Sequence, residues 1–394
     1  MPRSQAIQLL SFQEVKILSV RFYKKAVILK AEKISKSEVC PKCATLSSTG
    51  YDHRNVLIRD EPIGNRRVKI DLRKRRFWCK GCQKPFTEPV VGIRKGDRTS
   101  ERFKKSVLWG CETFTSLRQV QSVFGISPGY VFEVFYKQLE LKRRMNNQYP
   151  WPSTLGIDEH SFRRTRGYVE FASVFVDFKK SRVFELVDGK SEAALREGVK
   201  NIPGTENVKR VVMDMCEAFK NFVENSFPNA SITIDKFHVL RLISRALSSC
   251  RRERVGHLKS HPKARLLFKP EHKLEFEQKV QIAELIQGKG NEKLKEYYNV
   301  LQALHRFYRM KGYRAAKKAL EKIIAKAAAS HLKPLKTLSE TLSKWKEYIL
   351  NYFTTGLTNG KTEGFNNLAK LLQRRAFGFK NFENYRLRLL NACR

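Results

Sequence analysis

Four cysteines are spaced as metal ligands. "VCPKCATL" supplies Cys40 and Cys43, and "FWCKGCQK" supplies Cys79 and Cys82, giving C-x2-C, 35 residues, then C-x2-C. A Cys-x-x-Cys knuckle lets two thiolates bind one ion, and two knuckles complete a tetrahedral zinc site. The chain has eight cysteines and no export pattern, which fits metal binding or free thiols rather than disulfides. Cys111, Cys216, Cys250 and Cys393 lack paired spacing and are expected in the core or as free thiols. Beside the second knuckle, Arg73, Lys74, Arg75 and Arg76 read as phosphate contacts or as a solvated basic edge.

A second set of chemistry-bearing residues is acidic. "TLGIDEHSFRR" (154–164) sets Asp158 and Glu159 after an apolar step and ahead of Arg163 and Arg164, while "VVMDM" sets Asp214 after a buried run. Each acid is either a surface-turn residue or a metal ligand facing a phosphate. Strand alternation turns Glu159 to the face opposite Asp158, in a structural or DNA-facing role. In "TNGKTEGFNNLAKLLQRR" a helix starting at Asn359 or Thr362 carries Glu363, Asn366, Asn367 and Lys370 on one face. A carboxylate and a cation facing one way suit a metal–phosphate site; a polar solvated face is the plainer reading.

Certain elements must hold these residues in place. The alternation in "RNVLIRD" (54–60) and "RRVKIDLRKRRFWC" (66–79) predicts a small sheet between the knuckles. Over 116–139 the pattern is helix, turn, helix, with Gly125 at the turn, Ser127 as cap and Pro128 in the first helical position. That is either a DNA-reading helix-turn-helix or an ordinary helical hairpin. "QYPWPS" (148–153) is a proline-marked linker. Beyond it the order is β-β-β-α-β-α-β-α, with "TLGIDEH" as a short first strand and Asp214 ending the fourth; this is the element order of a ribonuclease H-like fold. From 241 to 350 the composition turns to Lys, Ala, Leu, Arg and Glu, which predicts a mostly helical insertion.

Composition sets the partner class. Hydrophobic residues make up 41%, as in globular proteins, but 78 Lys+Arg stand against 38 Asp+Glu, a net charge of +40. The excess runs along the whole chain, and a polyanion such as DNA or RNA neutralises it best, with an anionic membrane the weaker candidate. No apolar run approaches the ~18 residues of a membrane span and no signal-peptide pattern opens the chain. The expectation is a cytoplasmic, nucleoid-associated protein.

Taken together, "CPKC", "WCKGC", "GIDEHSFRR", "VVMDMCEAFKNFVENSFPNASITIDKFHV" and "TNGKTEGFNNLAKLLQRRAFGFKNF" resemble, in order and spacing, the ISL-three family of bacterial insertion-sequence transposases. The resemblance covers nearly the whole chain. It implies a multi-domain α/β protein: a zinc-ribbon DNA-binding domain (1–98), a helix-turn-helix (99–147), and a ribonuclease H-like catalytic core (148–240 and 351–394) interrupted by an α-helical insertion (241–350). The implied DDE triad is Asp158, Asp214 and Glu363. The stretch "IDKFH" resembles an accompanying Asp-x-x-His signature, giving Asp235 and His238 as accessory catalytic residues, although a core histidine satisfied by its neighbours reads as well for His238.

Phosphodiester cleavage needs an activated water and a stabilised leaving oxygen, and two carboxylate-held Mg²⁺ or Mn²⁺ ions roughly 3.5–4 Å apart supply both. The reading is therefore a DNA transposase with a structural zinc and a catalytic Mg²⁺ or Mn²⁺. It would cut at terminal inverted repeats and join the freed 3′-OH to target DNA. Arg73, Lys74, Arg75, Arg76, Arg163, Arg164 and Lys370 are the expected DNA contacts, Arg163 and Arg164 being as readable as a solvated pair. The partners are double-stranded DNA, both element ends and target, and a second copy of the chain in a homodimer or larger oligomer on DNA. The alternatives are a non-catalytic zinc-ribbon/helix-turn-helix regulator, which needs none of the three acids, and a nuclease that hydrolyses without joining strands.

Overall fold

The computed structural model describes residues 14–114, 116–146, 149–165, 167–255 and 262–393. They form two compact units: residues up to Lys142 with Arg375–Phe377, and Arg143–Arg374 with the residues from Gly378 onward.

In the first unit, β1 (Val15–Phe22) and β2 (Ala26–Lys33) form a hairpin. A two-rung ribbon, β3 (Glu38–Val39) and β4 (Leu46–Ser47), follows. Next come the long hairpin of β5 (Gly50–Ile63) and β6 (Arg66–Cys79), and β7 (Lys84–Thr87). The sheet order is β1-β2-β6-β5, with β7 paired to β6. The sheet expected between the knuckles is present but larger, since β2 runs parallel to β6 and brings β1 with it. The reason is burial: alternate residues Val68, Ile70 and Leu72 of β6 form one apolar cluster with Val27, Leu29 and Ala31 of β2.

Helices α1 (Glu101–Thr113), α2 (Leu117–Phe124) and α3 (Pro128–Val131) follow, the last running through a π-turn at Phe132–Tyr136 into α4 (Lys137–Asn146). Ser100, Ser116 and Ser127 each cap a helix by accepting from the amide three residues on. Gly125 turns the chain in the left-handed conformation (φ 62°), where a Cβ would also lie 2.3 Å from the Arg67 guanidinium carbon. Arg59 and Arg67 of the hairpin donate to the carbonyls of Gly125 and Ser122, fixing this turn to the sheet.

The second unit opens with β8 (Thr154–Thr165), β9 (Tyr168–Asp177) and β10 (Arg182–Asp188), followed by α5 (Glu192–Val199). It continues with β11 (Arg210–Met213), α6 (Glu217–Ser226), β12 (Ser231–Ile234) and α7 (Lys236–Val255). The strand order is β10-β9-β8-β11-β12; the first three are antiparallel, and β11 and β12 run parallel to β8. The first strand is not short: β8 continues to Thr165 because β9 pairs along its whole length.

Among the described residues two short 3-10 turns (Pro262–Phe268 and Glu271–Lys273) and then six α-helices follow: α8 (Phe276–Gln287), α9 (Glu292–Phe307), α10 (Tyr313–Ala328), α11 (Lys333–Lys344), α12 (Lys346–Leu350) and α13 (Tyr352–Thr355). Their core is continuous with one face of the sheet: Leu301, Leu320 and Leu342 join the cluster of Ile157, Phe175, Met213 and Ile234. The other face, Val174, Val176 and Val212, is covered by α14 (Gly360–Arg375) through Ala369 and Leu372 and by α15 (Phe382–Ala392) through Tyr385 and Leu389. Among the described residues no helix is long and apolar enough to cross a membrane.

Candidate active site

Parallel pairing brings three acids side by side. Met213 of β11 is in register with Ile157 of β8 and with Ile234 of β12, so the next residues, Asp158, Asp214 and Asp235, stand at adjacent positions across three neighbouring strands. The Asp235 amide still donates to the Met213 carbonyl at 3.0 Å. β11 ends at Met213, so from Asp158 onward β8 has lost its parallel neighbour and borders an open cleft. Open α/β sheets bind their ligands beyond such carboxyl ends.

The cleft is a cavity of about 380 Å³ lined by Asp158, Glu159, Asp214, Asp235, His238 and Arg241 from the strand ends and α7, and by Asn359, Glu363, Asn366, Asn367 and Lys370 from the start of α14. The Asp158 carboxylate accepts from the Glu159 amide (2.8 Å) and from Asn366 Nδ2 (2.7 Å). Burial, and then the negative charge of Asp214, push its pKa up to about 7. His238 Nε2 lies 3.0 Å from Asp214 Oδ2. Burial opposes a charged His238, but the bond to Asp214 and the charges of Asp214, Asp235 and Asp158 together hold its pKa above the ordinary value. The second Asp214 oxygen is buried with no hydrogen-bond partner. An orphaned carboxylate oxygen beside a second carboxylate fits a hard cation.

Asp235 has a different environment. It is 3% exposed and accepts from the Asn359 amide (3.0 Å) and the Phe237 amide (3.2 Å), tying the start of α14 to the start of α7. Burial raises its pKa against the pull of those amides. Its bonds are those of a residue that aligns the helix carrying Glu363. That helix also needs Gly156: a Cβ there would lie 2.2 Å from Thr362 Oγ1 and 2.5 Å from the Phe178 ring, and Thr362 is fully buried. The helix begins at Gly360, and all four residues read from the sequence as one face, Glu363, Asn366, Asn367 and Lys370, line the cavity.

Glu363 faces the same cavity from an exposed position, but it is not drawn tightly to the aspartates. Among the described residues the one group of three or more His, Cys, Asp or Glu whose ligand atoms all lie within 4.8 Å is Cys40, Cys43, Cys79 and Cys82. There Cys43 and Cys79 Sγ atoms are 3.4 Å apart and Cys40 and Cys82 3.8 Å, the separations expected of thiolates sharing one Zn²⁺ at ~2.3 Å. Hydrogen bonding at Thr45 pulls the Cys43 thiol down to about 6, while the adjacent Cys43 and burial push Cys82 up to about 12. Gly81 lets the second knuckle pack closely on the first, since a Cβ would meet Thr45 Oγ1 at 2.9 Å and Cys43 Sγ at 3.3 Å.

The basic residues divide. Lys74 is 7% exposed, and burial lowers its pKa, so it is not a phosphate contact in this conformation. Arg75 is committed internally, to Glu88 and to the carbonyls of Lys33 and Ser35. The alternation of β6 explains Lys74, which falls on the same buried face as Val68, Ile70 and Leu72, whereas Arg75 lies on the opposite face and is held there by Glu88. Arg73 and Arg76 reach solvent, each beside an acid, Glu32 at 3.7 Å and Asp52 respectively, with Arg76 also over the Tyr51 ring. Arg163 pairs with Glu170 (2.6 Å) and donates to the Lys380 carbonyl (2.5 Å), so it ties β8 to the C-terminal segment. The Arg164 side chain lies outside the described residues. Glu159 does not leave the site as alternation predicts: it lines the cavity and pairs with Lys190 at 3.0 Å. Sequence reading also missed the roles of Gly156, Lys190 and Arg241; of these only Gly156, inside an apolar strand, carried a signal, that of close backbone approach.

Residues 155–389 match the family model DDE_Tnp_ISL3, described as a transposase. Residues 36–82 match the zinc-finger of transposase IS204/IS1001/IS1096/IS1165, a span that contains all four clustered cysteines. The chain is also similar to the transposase for insertion sequence element IS1001 of Bordetella parapertussis, 25% identical over 373 residues, which cover 90% of this chain and 88% of that protein.

Proposed function

This chain belongs to the ISL3 family of DDE transposases, whose model spans more than half of it, and from that premise we propose that it binds the terminal inverted repeats of an insertion sequence, cuts at their ends and joins the freed 3′-OH to target DNA. The observation that carries the catalytic part is the alignment of Asp158 and Asp214 on neighbouring strand ends, with Glu363 across the same cavity. The strand order β10-β9-β8-β11-β12, three antiparallel then two parallel, supports a ribonuclease H-like core, with the helices between α7 and α14 as its insertion. The helix–turn–helix of α2 and α3 and the zinc ribbon supply the DNA-binding part in this reading.

Asp158, Asp214 and Glu363 would hold Mg²⁺ or Mn²⁺; the unpartnered Asp214 oxygen and the all-oxygen donor set fit a hard cation. Bound there, the cation would lower the pKa of a coordinated water and offset charge on the departing oxygen. The protein's own groups do the positioning. Asn366 and the Glu159 amide fix both Asp158 oxygens, His238 fixes one oxygen of Asp214, and Asp235 fixes the helix that carries Glu363. Lys370 and Arg241 at the rim attract the phosphodiester. On DNA we propose a dimer or larger assembly, in the nucleoid.

The test is cleavage of a duplex bearing the element's ends. Asp158→Asn, Asp214→Asn and Glu363→Gln should each lose cleavage by several orders of magnitude while still binding the duplex, because other residues contact phosphates and bases. If Glu363→Gln cleaves normally, the third ligand is misassigned; if all three variants cleave, the catalytic reading fails. Absence of strand joining by an enzyme that does cut would leave a nuclease.

A further inference from the structure

A second cavity, about 400 Å³, opens beside the first and shares Glu159, Asp214, His238 and Arg241 with it. Its remaining walls differ in kind. Met215, Phe219, Leu242 and Trp345 make an apolar side, and Arg245 and Lys190 add positive charge. Arg241 and Arg245 are one helical turn apart on α7, so both guanidinium stems rise from one face. Both are exposed, and among the described residues neither has a carboxylate or carbonyl partner. Lys190 is held by Glu159 at 3.0 Å and lies over the Phe171 ring, which fixes its ammonium at the boundary between the two cavities. Thr341 and Trp345 come from the helical region after residue 240, so this cavity is completed only by that region.

Unpaired guanidinium groups above an apolar wall match a group that carries a negative charge at one end and an aromatic or sugar face at the other. A nucleotide has that form. We propose that this second cavity is a nucleotide subsite. It would hold the nucleotide next to the scissile phosphate, with Arg245 on its flanking phosphate and Arg241 bridging the two phosphates. The proposal rests on the reading of the first cavity as the place of phosphodiester cleavage. It gives the helical region a role in substrate alignment: Trp345 and Thr341 close the subsite, and the adjacent phosphate is thereby delivered to Asp158 and Asp214. Arg245 touches no part of the acid cavity, so it is a substrate-binding residue and not a ligand-holding one.

The experiment uses full-length protein and end-bearing duplexes in which one phosphate at a time is replaced by an uncharged methylphosphonate. Wild-type protein on the all-phosphate duplex is the control for the function itself; no cleavage there defeats that reading and says nothing about the subsite. With cleavage established, one flanking methylphosphonate should slow the wild type by about 10-fold, as loss of a charge-assisted contact does. Arg245→Ala should be slowed about as much on the unmodified duplex and lose little more on that one modified duplex, since the contact is already gone. Arg245→Lys should recover part of the rate. A uniform penalty at every position in both proteins would make Arg245 general electrostatics and overturn the proposal, and so would Arg245→Ala cutting at the wild-type rate. Melting curves for the exposed Arg245 variants exclude misfolding as the cause.

Discussion

At the residue scale the decisive contrast is between acids that have partners and acids that lack one. Asp235 has both oxygens satisfied by backbone amides, whereas Asp214 keeps one oxygen buried and unmatched beside Asp158. Burial and the Asp214 charge already push the Asp158 pKa up to about 7, so the ionised site is strained without a cation. Asp158→Asn keeps the shape and removes one charge. Metal-free protein carrying it should be as stable as wild type or slightly more so. A ligand that binds only the folded state stabilises it in proportion to its affinity, so the rise in melting temperature that Mn²⁺ gives the wild type should largely disappear in the variant. Thermal melting with and without Mn²⁺ checks this. An undiminished Mn²⁺ shift would mean that the cation binds elsewhere.

At the scale of elements, one small residue decides whether larger pieces can meet. Gly156 lets α14 lie against β8, and no side chain fits between the strand and Thr362 or Phe178. Gly156→Ala should displace the start of α14, costing about 1–3 kcal/mol as overpacking does. It should also lower cleavage by about 100-fold through misplacement of Glu363, the loss that an ångström of misalignment can bring. Urea unfolding beside a cleavage assay reads both, and normal cleavage by a folded Gly156→Ala would show that the helix does not need this approach. In the other unit the knuckles close on one another through four thiols. Metal analysis should find one zinc per chain, and Cys40→Ser should abolish it and loosen this unit. The unit of Arg143–Arg374 has its own core and should melt as before. Purified protein with no zinc would contradict the four-thiol site.

For the whole molecule the governing quantity is the net charge of +40. Each phosphate that Lys or Arg neutralises releases a counterion, so affinity for DNA should fall steeply with salt, by ~10³–10⁵ between 50 and 200 mM for roughly 6–10 such contacts. A salt series of binding isotherms measures the slope; a nearly flat line would mean that the charge serves something other than a polyanion. Much of this protein was legible in one dimension, for physical reasons. Knuckle spacing is local chemistry, and strand and helix periods follow from backbone geometry. The cap at Ser127 and the turn at Gly125 depend on a few adjacent residues. The sequence by itself therefore determined the cysteine site, the order of elements in the second unit, the helical region and the class of partner. Tertiary structure alone decided which residues stand together. Register across β8, β11 and β12 aligned Asp158, Asp214 and Asp235. The recruitment of β1 and β2 followed from burying the face of β6. Lys74 went inward and Arg75 was taken by Glu88, although both read as part of one basic run. Glu159 joined the cleft because β11 stops at Met213, and no local pattern records where a neighbouring strand ends. Pairing between distant segments is settled by the burial and hydrogen bonding that the whole chain can satisfy at once, and a single stretch of sequence does not contain that information.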